Sequence, residues 1–129
     1  MDENTKTQKV YSYKELIVWQ KAVELSIAVY EITEHFPKEE IYGLTSQLRR
    51  AAVSIASNIA EGRHRGTRAD FLQFLRIAQG SCAELQTQIE IAKQLSKMKN
   101  LNYDKIIQPS EEILKMLFVM IKRMNPRVK

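Results

Sequence analysis

The chain has 129 residues, of which 44% are hydrophobic and 27% charged, a balance that indicates one folded domain and excludes a mainly disordered chain. Four glycines and three prolines are too few for an all-β protein with many tight turns. The 20 lysines and arginines against 15 acidic residues give a formal net charge of +5, which permits binding to a polyanion without requiring it.

The cysteine count and the lengths of the apolar segments indicate in which cellular compartment the protein lies. A single cysteine, Cys82, cannot form an internal disulfide and is typical of a reducing environment. Residues 1–9 are polar and lack the apolar segment of a signal peptide, and the longest apolar run, 116–121, is far shorter than the ~20 residues of a membrane span. The sequence therefore predicts a cytoplasmic protein that does not enter a membrane.

The first predicted helix follows a flexible N-terminal tail, residues 1–11. Ser12 and Glu15 form a capping-box pattern, so the helix is predicted to begin near Tyr13 and to stop before Phe36-Pro37. Two apolar stripes run along it. One stripe consists of Leu16, Trp19, Val23, Ile27 and Tyr30, and the other of Val18, Leu25, Val29, Ile32 and Phe36. The second stripe has heptad-like spacing, so we expect it to contact another subunit while the first enters the core.

The second predicted helix, in the block from Tyr42 to Gly62, is also apolar on two sides. Its predicted core face consists of Leu44, Leu48, Ala51, Ala52, Ile55 and Ile59. The opposite stripe consists of Val53, Ala56 and Ala60, and we expect it to contact another subunit. Gly62 is predicted to end the helix as its C′ residue.

Two further helices complete the pattern. Thr67 and Asp70 predict the start of helix 3, which carries one long apolar face and is expected to end at residues 99–102. Helix 4 is predicted to run to about Met124, with Pro109 either kinking it or marking its start after a separate turn at 103–108. Since no segment alternates like a strand, the expected fold is all-α, an antiparallel up-down-up-down four-helix bundle over residues 12–125, with a tail at 126–129.

Catalytic and metal-binding patterns are weak. His35 and His64 have no Cys, Asp or Glu partner at ligand spacing on one helix, and the chain lacks Glu-x-x-His pairs and Gly-rich phosphate loops. Cys82 lies among apolar residues of helix 3, a position typical of a buried small hydrophobe rather than a nucleophile. We therefore expect no enzymatic activity, no metal and no cofactor.

An arginine cluster supplies the main functional hypothesis. Between Leu44 and Cys82 the chain has six arginines and no lysine, opposed only by Glu61 and Asp70. Candidate phosphate-binding residues for RNA or DNA are Arg49, Arg50, Arg63, Arg65 and Arg68. The alternative is a protein–protein adaptor whose arginines pair internally, as Arg50 could with Glu61, or serve subunit contacts.

Three motifs carry a resemblance to a known family. They are Leu16-x-Val18-Trp19-Gln20-Lys21-Ala22, the block from Tyr42 to Gly62, and Asp70-Phe71-x-x-Phe74-Leu75-x-Ile77-Ala78-x-Gly80-Ser81-x-x-Glu84-Leu85. In this order, over about residues 12–124, they resemble the four-helix-bundle proteins encoded in 23S rRNA intervening sequences. That family includes the accessory variability proteins of diversity-generating retroelements. The resemblance implies a bacterial homopentamer, and for the basic accessory branch it implies nucleic acid and a reverse transcriptase as partners.

Overall fold

The computed structural model describes residues 12–124, where four α-helices follow one another along the chain. They are α1 (Ile17–Thr33), α2 (Ser46–Arg65), α3 (Arg68–Gln94) and α4 (Asp104–Met124). Each helix packs against the next, and α4 packs back on α1; this described part contains no strand. The all-α four-helix bundle is therefore confirmed. The predicted tails, 1–11 and 126–129, lie outside the described residues.

The start of α1 differs from the prediction. Ser12 does act as a cap, with its Oγ accepting a hydrogen bond from the Lys14 N–H at 3.2 Å, but it caps a 3-10 turn at Tyr13–Glu15. Leu16 is extended, with φ −76° and ψ 124°, so α1 begins only at Ile17. The predicted start near Tyr13 is wrong by about one turn, whereas the end before Phe36-Pro37 is confirmed.

The end of α2 also moves. Gly66, at φ +86°, is the left-handed residue that terminates the helix, and the predicted terminator Gly62 lies inside its last turns. Thr67 then caps α3, because its Oγ1 accepts a hydrogen bond from the Asp70 N–H at 3.1 Å, as the sequence predicts. Only Gly66 and Thr67 separate α2 from α3, so the two helices are antiparallel neighbours.

The connection from α3 to α4 is longer than predicted. Leu95 is extended, with φ −90° and ψ 133°, so α3 ends at Gln94 rather than at residues 99–102. At the next helix the Asn102 Oδ1 accepts a hydrogen bond from the Asp104 N–H at 3.0 Å. Pro109 lies within α4, so residues 103–108 are not a separate turn and Pro109 does not start the helix.

Core packing corrects one interface prediction. Val18 and Leu25 are each 1% exposed and Val29 is fully buried, so these residues fill the bundle core and cannot contact another subunit. Ile32 is partly buried and packs on the same core. Both stripes of α1 are apolar, so periodicity could not decide which one turns inward.

The predicted core face of α2 is confirmed, since its residues from Leu48 to Ile59 are buried and Leu44 packs against them.

Small side chains bring α2 and α3 together. A Cβ added at Gly62 would lie 2.5 Å from the Phe74 Cβ, and the hydroxyls of Ser54 and Ser81 are 2.8 Å apart across the same seam. A side chain at position 62 would push the helices apart. This close approach fixes the α2–α3 turn, and with it the arginines on both sides of the turn.

Candidate interaction surfaces

The five predicted phosphate-binding arginines do not form one surface. Arg49 and Arg50 lie near the start of α2, whereas Arg63 and Arg65 lie in its last turn and Arg68 opens α3. At a rise of 1.5 Å per residue, Arg50 and Arg65 are ~22 Å apart along the helix axis. The structure therefore divides the predicted site between the two ends of the bundle.

Arg49 is held by α1. Its Nε donates a hydrogen bond to the Thr33 Oγ1 at 2.8 Å, and its guanidinium carbon lies 4.5 Å from the centre of the Tyr30 ring. The Thr33 hydroxyl in turn donates to the Val29 carbonyl oxygen at 2.7 Å. Together these contacts tie the start of α2 to the end of α1. The neighbouring Arg50 is exposed and lines a groove with Arg49 and Tyr30.

At the opposite end, cations from three helices form a surface that we name the basic end. It consists of Arg63, Arg65, Arg68, Lys122 and Arg123. Three of them, Arg63, Arg68 and Arg123, line one groove of about 380 Å³. The Arg68 Nε donates to the Met124 carbonyl oxygen at 3.0 Å, which places this cation at the carbonyl end of α4.

Two residues of the basic end, Lys122 and Arg123, are not among the phosphate-binding residues predicted from the sequence. Lys122 and Arg123 are exposed in the last turn of α4, far from the arginine cluster along the chain. Basic residues in a last turn are common, so they gave no distinctive signal on their own. An antiparallel bundle places the end of α4 beside the start of α3, and this adjacency could have been inferred from the predicted fold.

The arginines of the last turn of α2 have local contacts. Arg65 forms an ion pair with Glu61 at 2.9 Å, with the two side chains about half exposed, and its guanidinium lies 5.0 Å from the Phe74 ring centre. The Arg63 guanidinium lies 5.7 Å from the Phe71 ring centre. Glu61 thus pairs with Arg65 and not, as one alternative supposed, with Arg50. An exposed ion pair contributes only ~0–1 kcal/mol, so a phosphate could replace Glu61 at little cost.

An apolar groove runs between α1 and α2, and we name it the α1–α2 face. Ile27 is 55% exposed, Tyr30 45% and Val53 42%, and with Val23 and Ala56 they line a groove of about 410 Å³. Of the predicted subunit contacts on α2, Val53 and Ala56 therefore lie at the surface, and Ala60 is half buried. In the α1 stripe predicted to enter the core, Leu16 and Trp19 do pack against it, whereas Ile27 and Tyr30 are exposed, opposite to the prediction.

The histidines and the cysteine of the described residues lie apart from one another. His35 and His64 are exposed, and within residues 12–124 no cluster of His, Cys, Asp or Glu could hold a metal ion. Cys82 is fully buried, with its Sγ donating to the Ser110 carbonyl oxygen at 3.3 Å, and burial raises the pKa of the thiol to about 11. Its prediction as a buried small residue is confirmed. Among the described helices, none is long and apolar enough to cross a membrane.

Comparisons with known proteins agree on the family. A sequence model of the 23S rRNA-intervening sequence protein family matches residues 14–119. Among solved structures, a protein of unknown function from the S23 ribosomal protein family of Bacteroides thetaiotaomicron is 27% identical, with a TM-score of 0.72. The match covers 82% of this chain and 99% of that one. No curated protein matches. The chain belongs to the 23S rRNA-intervening sequence protein family.

Proposed function

We propose that this protein is a non-enzymatic module that binds RNA or DNA by phosphate contacts through the basic end and acts as a homo-oligomer, a pentamer. The observation that carries the nucleic-acid proposal is the convergence of Arg63, Arg68 and Arg123, from three helix ends, around one groove. Guanidinium groups bind phosphate oxygens in a bidentate fork, and clustered cations gain affinity by releasing counterions.

The mode of binding follows from the surroundings of these cations. Phe71 is 9% exposed and lies beneath Arg63, and Phe74 is half buried beneath Arg65. Neither ring presents an open face on which a base could stack. Binding through phosphates alone fixes position without reading sequence, so we expect little preference among nucleic-acid sequences.

The test compares two variants of equal charge. In the first, Arg65, Lys122 and Arg123 of the basic end are changed to Gln, which spares Arg68 and its contact with α4. In the control, the exposed Lys38, Lys99 and Lys105 at the other end are changed to Gln. Fluorescence anisotropy with a labelled 20-nucleotide RNA should show at least a tenfold loss of affinity for the first variant and a much smaller loss for the control. Equal affinities for the two variants would contradict the proposal.

Self-association is supported by the α1–α2 face. Large apolar side chains exposed side by side usually mark an interaction site on a soluble protein. We therefore expect light scattering to give a mass of about 75 kDa, five times the 15.0 kDa of the chain. Ile27→Gln with Val53→Gln should reduce this mass, whereas Ile91→Gln, at an exposed position outside the face, should not. A wild-type mass near 15.0 kDa would contradict the proposal.

A second candidate function is a protein–protein adaptor in which arginines serve subunit contacts. The observation that favours it is the position of Arg49 and Arg50, which line a groove with Tyr30 and Val53 at the border of the α1–α2 face. If Arg50→Gln lowers the mass of the assembly and leaves RNA affinity per subunit unchanged, Arg50 serves assembly.

For the nucleic-acid-binding function we also propose a reverse transcriptase as a partner, on the family resemblance alone.

A further inference from the structure

A second apolar groove lies between α3 and α4, and we name it the α3–α4 groove. It has a volume of about 1340 Å³, and apolar residues at its surface include Ala83, Leu114, Phe118 and Val119. Phe118 is 55% exposed and Val119 is 43% exposed. On α4 the lining extends from Ile107 to Val119, which at 1.5 Å per residue is ~18 Å, the length of about three helical turns.

Gly80 keeps the α3 side of this groove open. A Cβ at Gly80 would meet nothing within 4 Å, although the residue lies in the middle of α3. A glycine inside a helix costs ~1 kcal/mol relative to alanine, and no packing within residues 12–124 requires one here. Gly62, by contrast, is required by Phe74. A groove kept open by a glycine is suited to the close approach of another helix.

Charge identifies a suitable occupant. The charged residues that line the α3–α4 groove are Arg76, Lys93 and Lys115 against Glu90 and Glu111, so the lining has a small positive excess. Lys93 pairs with Glu90 at 4.0 Å, whereas Arg76, Lys115 and Glu111 form no ion pair with another described residue. Glu31 and Glu34 border the α1–α2 face and are likewise unpaired within residues 12–124. The part of that face that runs along α1, from Val23 to the C-cap residue Glu34, is ~16 Å long, close to the length of the groove.

We infer that the α3–α4 groove of one copy receives the α1–α2 face of the next copy. Ile27 and Tyr30 would then pack on Phe118 and Leu114, with the carboxylates of α1 near Arg76 or Lys115. The inference rests on the proposed self-association and specifies its geometry. A contact between two different faces is heterologous, so it repeats from copy to copy and gives a ring when the rotation between copies closes, as the proposed pentamer requires. A face that paired with itself would give a dimer instead.

Two double variants test this geometry. In the groove variant, Gly80→Gln and Phe118→Gln place long polar side chains in the α3–α4 groove; the first change also removes a helix-interior glycine. In the face variant, Ile27→Gln and Val53→Gln replace exposed apolar residues. We expect each variant alone to have a mass near 15.0 kDa. Mixed at high concentration, they should form a 1:1 dimer of about 30 kDa, because the mixture retains one intact face and one intact groove.

The possible outcomes separate the two proposals. If the wild-type chain itself is monomeric, self-association fails and the inference fails with it. If the wild type assembles and the groove variant keeps the wild-type mass, only the inference is overturned. Charge reversal gives a second measurement within one chain. Arg76→Glu with Lys115→Glu should weaken assembly, and adding Glu31→Lys with Glu34→Lys should restore it; no restoration would count against this pairing of faces.

Discussion

Gly62 of α2 lies against Phe74 of α3 so closely that an added Cβ would be 2.5 Å from the Phe74 Cβ. The nearest atom is bonded directly to the backbone and cannot swing away, so Gly62→Ala must separate the helices. We expect it to lower the free energy of unfolding by about 1–3 kcal/mol, measured by urea denaturation.

The matched control is Gly80→Ala, where the added methyl group has open space. It should raise the free energy of unfolding by about 0.5–1 kcal/mol through helix propensity. Both changes are best measured in the face variant, Ile27→Gln with Val53→Gln, so that assembly does not contribute. If Gly62→Ala and Gly80→Ala change the free energy of unfolding equally, α2 and α3 are not in close contact at Gly62.

The contact of Arg49 with Thr33 and Tyr30 predicts a stability effect without an RNA-binding effect. Arg49→Ala removes the hydrogen bond to the Thr33 hydroxyl and the stacking on the Tyr30 ring. We expect a loss of about 1–3 kcal/mol in the free energy of unfolding, again in the face variant. Arg50→Ala, at an exposed neighbouring position, is the control and should change little. If Arg49→Ala instead lowers RNA affinity at unchanged stability, Arg49 belongs to the binding surface.

The burial of Cys82 predicts an unreactive thiol. Since burial raises its pKa to about 11, the reactive thiolate is scarce at pH 8, and the bundle also blocks access to the sulfur. Labelling with a thiol-specific disulfide reagent should be slow in buffer and should accelerate with urea in step with unfolding. Complete labelling of the native protein within seconds would show that α3 and α4 separate readily near Ser110.

The ion pair between Glu39 and Lys97 predicts a titration shift at the end opposite to the basic end. The hydrogen bond from Lys97, at 2.7 Å, lowers the pKa of Glu39 below its ordinary value of 4.5 and raises that of Lys97 above 10.5. The Glu39 contribution to stability is therefore present above pH 4.5 and is lost as the pH falls through its lowered pKa.

NMR titration of the Glu39 carboxyl carbon measures this shift. In Lys97→Gln the pKa of Glu39 should return towards 4.5, and high salt should act in the same direction because both side chains are largely exposed. A pKa that is unchanged in Lys97→Gln would show that Glu39 is stabilised by another group.

Much of the fold follows from the sequence, because four amphipathic segments separated by Pro37, Gly66 and residues 95–103 permit few other arrangements. Helix ends were less predictable. Gly62 and Gly66 are both plausible terminators by local pattern, and the structure distinguishes them by the left-handed φ of Gly66 and by the contact of Gly62 with Phe74. Likewise, the choice between the Val18 stripe and the Ile27 stripe of α1 depends on how α2 and α4 pack, which periodicity does not encode.

The candidate site could be predicted only in part. The turn from Arg63 to Arg68 is local in sequence and was recognised from composition. Arg123 joins it only because α4 ends beside the start of α3. Arg49 and Arg50 lie apart from it because they are more than ~20 Å from Arg65 along the axis of α2. Predicting a surface that several helix ends form together thus requires the topology of the bundle as well as the sequence.

The most direct test of nucleic-acid binding by the basic end is the salt dependence of wild-type affinity for a labelled 20-nucleotide RNA. If phosphate contacts carry binding, the logarithm of the affinity should fall linearly with the logarithm of salt concentration. The slope should flatten by about 2–3 in the variant with Arg65, Lys122 and Arg123 changed to Gln. Absence of binding at micromolar protein in low salt, or a slope that those changes leave intact, would contradict the proposed function.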